Sequence, residues 1–249
     1  MMIRSVQLVI IFSLLISFGN PLQAQVTGSE EKNYEVSAVA ELGFLSVFDH
    51  KVQFSENGTY FDYREDGGQN VLFPVGRLSL ELQIDRNTFY LLYQPLALET
   101  QVYLQNDLIV DGAVFTAGSN VRLLYNFPFY RLSYTRELAP NNADLDFALG
   151  ASIQIRNATI SFESGDGSVF RSNRDIGIVP ALKLKTTYHF NEMLYAEIEA
   201  DGIYAPVSYL NGSDNEVVGA ILDASFRTGI QLMEPVDGFL NLRYLGGGA

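Results

Sequence analysis

Cysteine is absent from the 249 residues, which excludes disulfides, thiolate chemistry and a lipid-modified cysteine at a cleavage site. Tryptophan is absent too, although the chain carries 14 Tyr and 17 Phe. Such an aromatic load suits a membrane interface, where Trp would also be expected. Basic residues are scarce, 16 Lys and Arg against 29 Asp and Glu, for a net charge of −13. Nucleic acid is therefore a poor partner, because phosphate contacts need clustered Lys and Arg. The two histidines, His50 and His189, leave little material for acid–base chemistry. After Ala24 no apolar run reaches the roughly 18 residues of a membrane-spanning helix.

What is present begins with a leader. Arg4, the apolar run Val6 to Phe18 and the stretch Asn20-Pro21-Leu22-Gln23-Ala24 read as a secretory signal peptide over 1–24. Residues 25–32 read as a short polar periplasmic lead and 33–249 as one β-barrel domain.

The clearest pattern is IGIVPALKLKTTYHFNEMLYAEIEADGIYAP, residues 176–206. Leu182, Leu184, Thr186 and Tyr188 alternate with Lys183, Lys185, Thr187 and His189. Asn191-Glu192 gives a two-residue turn. Leu194, Ala196, Ile198 and Ala200 then alternate with Tyr195, Glu197, Glu199 and Asp201. Successive side chains on a strand face opposite sides, so one side of the hairpin is oily and the other charged. The pattern predicts a hairpin of an antiparallel, up-and-down transmembrane barrel with lipid outside and charge inside. The reverse assignment would place Lys183 and Lys185 in lipid at about 2–4 kcal/mol each near the midplane. Parity assigns an inner charge network of Arg77, Glu81, Arg122, Arg131, Asp146, Arg156, Lys183, Lys185, Glu197, Glu199, Asp201, Asp223 and Arg227, with Glu41 on an equivalent face. Such a network is either structural filling or the lining of a selective pore.

Further strands are expected at Asn33–Phe48, Phe73–Asp85, Thr88–Leu104, Ala113–Tyr125, Phe129–Glu137, Asp144–Ile155, Ala158–Phe162, Glu216–Leu232 and Phe239–Leu245. Turns are placed at Asp85-Arg86-Asn87, Asn126-Phe127-Pro128, Arg156-Asn157 and Met233–Gly238. Longer loops follow residues 48, 104, 137, 163 and 206, and the first carries a hairpin signal, Asn57-Gly58. This makes eleven strands. Bacterial barrels have even numbers, so the expectation is twelve, with the last strand missing from a C-terminally incomplete chain.

FDYREDGGQNVLFP, FYLLYQPL, GASIQIRNATISF, EADGIYAP and LNLRYLGGGA make the chain resemble an uncharacterised family of bacterial outer-membrane β-barrel proteins. The resemblance implies the outer membrane as location, with outer-membrane lipid and lipopolysaccharide as surroundings and the barrel-assembly machinery as a partner during insertion. It implies no cofactor and no catalytic residue. The first functional expectation is a small-solute channel. The alternative is a structural or surface-interaction barrel with a plugged lumen, and a minor one is a lipid-modifying enzyme using His50 with Ser46 or Ser55 nearby in sequence. Asp62, Glu65, Asp66 and Asp166 offer oxygen ligands to a cation such as calcium, but without EF-hand spacing.

Overall fold

The computed structural model describes residues 15–20, 34–55, 57–206 and 218–248. The rest of the leader, the lead at 25–32 and the loop after 206 lie outside the described residues. The described chain is all-β and antiparallel. In order the strands are β1 (Leu15–Asn20), β2 (Tyr34–Ser46), β3 (Lys51–Gln53), β4 (Tyr60–Asp62), β5 (Leu72–Ile84), β6 (Asn87–Gln94), β7 (Ala97–Tyr103) and β8 (Leu108–Val110). There follow β9 (Ala113–Phe115), β10 (Asn120–Asn126), β11 (Phe129–Glu137), β12 (Leu145–Ser164), β13 (Phe170–His189), β14 (Leu194–Pro206), β15 (Val218–Met233) and β16 (Val236–Gly248).

The main sheet has twelve strand segments, but two pairs of these are halves of one run. β6 continues into β7 past Pro95, and β10 continues into β11 past Phe127-Pro128. Both halves of each run pair in step, with Gln94 opposite Phe129 and Ala97 opposite Asn126. Proline has no N–H to donate to a ladder, so the two breaks fall at Pro95 and Pro128. The sheet curls until β11 pairs with both β6 and β12. Between β2 and β16 lies the short β1, antiparallel to both. It covers only the start of each neighbour. Among the described residues no strand pairs with Ala40–Ser46 or Leu240–Leu245 across that seam. β13 and β14 likewise part above the Leu182–Gly202 pair.

Two expected turns do not exist. Arg156-Asn157 lies inside β12, whose pairing to β13 runs unbroken from Leu145 to Glu163, and Asn126-Phe127-Pro128 is a kink in a descending run. Eleven expected strands thus become nine. The segment 138–144 moves to the end that carries the Asp85-Arg86 and 190–193 connections, called here the turn end. The two errors cancel, so every strand after 157 keeps its expected direction.

Both differences come from a chemical exchange along an unbroken strand. On β12 the even residues face inward throughout. Ser152 and Gln154 are buried near the turn end, while Ala158, Ile160 and Phe162 are buried toward the loop end. On β6 the outward residues are Phe89, Leu91 and Tyr93, and on β7 they are Glu99 and Gln101. Near the turn end the barrel is oily outside and polar inside. Toward the loop end these two runs are polar outside and oily inside, while Leu42 and Phe44 of β2 keep an oily outer face.

The oily interior is closed by two small hairpins. The Asn57-Gly58 segment does join paired strands, β3 and β4. The second hairpin, β8–β9, occupies what reads in sequence as a loop and the start of a strand. Asp111 (φ 44°) and Gly112 (φ 75°) form its turn. A two-residue hairpin needs positive φ at both positions, which Asp tolerates and Gly adopts freely. Phe54, Phe61, Tyr63 and Phe115 pack with Phe162 and Leu123 into one core.

Candidate functional site

The inner polar face near the turn end gathers six cations and six carboxylates. Glu41 comes from β2, Arg77 and Glu81 from β5, and Arg131 from β11. β13 gives Lys183 and Lys185, and β14 gives Glu197, Glu199 and Asp201. β15 gives Asp223 and Arg227, and β16 gives Arg243. Alternation alone delivers each of them inward.

Asp223 is the hub. Its carboxylate accepts from Arg77 (3.1 Å), Arg131 (2.9 Å) and Arg243 (2.5 Å), on three different strands, β5, β11 and β16. Arg131 also donates to Asp201 at 2.8 Å and to Gln154. Lys183 donates to Asp201 at 3.0 Å and pairs with Glu199. Arg227 bridges Glu197 (3.0 Å) and Glu41 (3.2 Å), and Asn241 donates to Glu41 at 2.7 Å. Lys185 reaches across to Glu81 at 3.1 Å. The contacts from β5 to β15, from β11 to β15 and from β13 to β5 cross the interior rather than follow the wall. Burial is nearly complete, with Asp223 1%, Arg131 2% and Asp201 2% exposed. Such charges persist away from water only when paired and hydrogen-bonded.

Of the residues assigned inward by sequence, Arg122 points outward, and Arg156 and Asp146 keep the inward parity but stand apart from the network. Arg122 is on the outer face of β10, 55% exposed, pairing with Glu99 at 2.7 Å and Glu163. It sits above the chemical exchange, where the polar parity points out. Arg156 sits at the exchange itself, donating to Asp175 at 2.7 Å with its guanidinium over Phe127. Asp146 lies at the turn-end rim, 2.8 Å from His189. Arg243 was missed, although it shares parity with Asn241 between Leu242 and Tyr244.

His50 lies in the oily interior, fully buried. Its ring stacks on Tyr63 (centroids 4.4 Å apart) and meets the edge of Tyr125 (4.3 Å). Nδ1 is 2.8 Å from Oε1 of Gln69, an acceptor, so Nδ1 carries the proton. Burial drives its pKa down to about 4, against the opposing pull of Gln69 and of Asp62 and Asp49. Its partners are thus an amide and two rings, not a serine.

The acidic loop residues serve turns. Asp62 accepts from the backbone N–H of Arg64 and Glu65. Asp166 is held at about 2 by the Ser168 N–H, the Ser168 hydroxyl and the Ser164 hydroxyl. Among the described residues no three His, Asp or Glu side chains are gathered to hold a metal. No known family model matches the chain, and no curated protein matches its sequence.

Proposed function

We propose that the chain is a bacterial outer-membrane β-barrel whose lumen is sealed, a structural or surface-interaction barrel rather than an open channel. Two features support the membrane address. Near the turn end the outward residues form a belt that includes Leu78, Leu80, Leu91, Leu132, Ile153, Ile198, Phe226 and Leu242, all exposed. Monomeric soluble proteins rarely expose apolar patches beyond about a few hundred Å². The belt also stops where β12 and the β6–β7 run change character, as strands do on leaving hydrocarbon.

The single observation behind the sealed lumen is the burial of Asp223 among arginines of three strands, two of them across the interior. Residues lining a water-filled pore stay hydrated, whereas this hub is shielded from solvent. The network carries six charges of each sign, so it presents no net charge to select an ion. The oily core under β3–β4 and β8–β9 closes the other end. Surface interaction would fall to the loop end, where polar strands and two hairpins stand clear of the belt.

Planar-bilayer recording tests this reading. Folded protein isolated from outer membranes gives no single-channel steps above baseline. Reproducible steps from the unaltered protein would establish the channel reading instead.

A further inference from the structure

The loop-end half of β13 has a partner on one side only. β13 pairs with β12 along its whole length, from Tyr188 to Phe170, but with β14 only from His189 to Leu182. Among the described residues no strand pairs with Phe170–Ala181 on the second side. Ladder geometry says which groups are left. The N–H of His189 donates to Asp144 and the carbonyl of Val169 accepts from Ser164, both toward β12, while the N–H of Phe190 donates to Leu194, toward β14. Odd residues of β13 therefore direct their backbone groups to β12, and even residues turn theirs the other way. The unpaired edge thus offers the N–H and C=O of Ser172, Arg174, Ile176 and Ile178. Pro180 is even too, so its missing N–H falls on this edge, just above Leu182, where the β14 ladder ends. Exposed edges are normally short, bulged or guarded by lysine. This one keeps an unshifted register from Phe170 to Ala181, and Phe170, Ile176 and Ile178 stand exposed along it.

Charge narrows what pairs there. Toward the loop end Lys51, Arg64, Arg122 and Arg156 each meet a carboxylate. Arg171 and Arg174 make no ion pair among the described residues: Asp175 is held by Arg156, and Arg171 reaches only the carbonyl of Phe170 at 2.8 Å. Both stand on the unpaired edge of a chain with 29 acids to 16 bases. We infer that Phe170–Ile178 is a docking edge for an acidic, extended segment of another protein, which joins the sheet as a further strand beside β13. This deepens the surface-interaction reading above and rests on it, since the upper part of the edge lies opposite Ala158–Glu163, past the oily belt. A backbone edge selects a polypeptide, because a second strand supplies N–H and C=O groups at the ladder spacing. Phosphate on a lipid headgroup answers the two arginines but leaves the carbonyls of the edge unpaired. A second copy fails on symmetry. Two copies the same way up, related by a two-fold along the membrane normal, bring the same residue of each β13 face to face, N–H against N–H. The side chains of Arg174, Ile176 and Ile178 share the outward face with Leu182. The docked strand therefore carries Asp or Glu opposite Arg174 and apolar residues at the next alternate positions, opposite Ile176 and Ile178.

The probe is a fluorescein-labelled synthetic peptide in which Glu, Val and Val alternate with Thr, added to the full-length protein in detergent micelles. Saturable binding is expected. Ile176→Pro removes an edge N–H and no bond to β12, as Pro180 does already, so the strand spectrum is kept and binding is lost. Arg174→Glu sets like charges opposite each other and weakens binding by at least about tenfold; a peptide with Lys in place of Glu binds that variant better than the parent. The chain has no cysteine, so Ser172→Cys reports register, trapping peptides whose own cysteine stands at alternate positions only. Five results overturn the inference: no saturable peptide binding; binding unchanged by Ile176→Pro; trapping at successive positions alike; Ser172→Cys disulfides between copies that exclude the peptide; or lipopolysaccharide binding that needs Arg174 while the peptide is ignored. Flotation with lipid vesicles and bilayer recording on the same preparation separate this inference from the reading it rests on. Failure to float removes the membrane address and single-channel steps remove the seal, while binding and trapping still report the edge.

Discussion

Replacing Asp223 with asparagine removes the charge on which three arginines converge. Arg77, Arg131 and Arg243 donate to it at 3.1, 2.9 and 2.5 Å, and its side chain is shielded from water. Asparagine keeps one acceptor oxygen but turns an amide N–H₂ toward cations. The interior then holds six cations and five carboxylates. Breaking a buried pair by removing one partner costs about 3–5 kcal/mol, because the remaining charge stays buried. A typical domain has only about 5–15 kcal/mol in total. With a urea dependence of about 1–3 kcal/mol per molar, the unfolding midpoint in lipid vesicles falls by at least about 1 M. Adding Arg243→Met to Asp223→Asn restores the charge balance and recovers part of the loss. An Asp223→Asn midpoint within about 0.3 M of the parent would refute the idea that this carboxylate ties the barrel together.

Two further outcomes follow from the loop end. His50 is depressed to about 4 by burial against about 6.5 unfolded, so the neutral ring stabilises the cap above pH 6.5. That contribution, about 3 kcal/mol from the 2.5-unit difference, is lost progressively as pH falls from 6.5 to 4, because the unfolded chain binds the proton first. It is read as the pH dependence of urea unfolding, and His50→Gln flattens the slope. The exposed Arg122–Glu99 pair, by contrast, contributes at most about 1 kcal/mol. Arg122→Ala therefore leaves the urea midpoint nearly unchanged, while Arg131→Ala does not.

The paired part of the β13–β14 hairpin, Leu182–His189 against Tyr195–Gly202, was legible. Its alternation is unbroken and its charges are opposed, and the structure pairs Lys183 with Asp201 and Lys185 with Glu199 across the two strands. Its upper end and its turn differ: β13 already begins at Phe170, inside the expected loop, and parts from β14 above Leu182. The connection spans 190–193, with the Asn191 side chain accepting from the N–H groups of Met193 and Leu194. The false turns at 126–128 and 156–157 share one cause. Where a strand leaves the oily belt, the apolar residues change parity without the backbone changing direction, and in sequence that exchange looks like a reversal. Arg122 was assigned inward for the same reason. The β8–β9 hairpin escaped because LIV and AVF are too short to show alternation, although Asp111-Gly112 marked the turn. The His50, Tyr63 and Tyr125 cluster depends on contacts between distant segments, which no local pattern encodes. Arg243 was readable, being the lone cation of a short alternating strand.

The absence of tryptophan permits the most direct test of which face meets hydrocarbon. Leu91→Trp and Gln101→Trp each place one indole on the outward side of the same run, below and above the break at Pro95. In vesicles of lipid brominated along its acyl chains, fluorescence at position 91 is strongly quenched and at position 101 is not. Equal fluorescence at both positions, unaffected by bromine, would contradict the membrane belt.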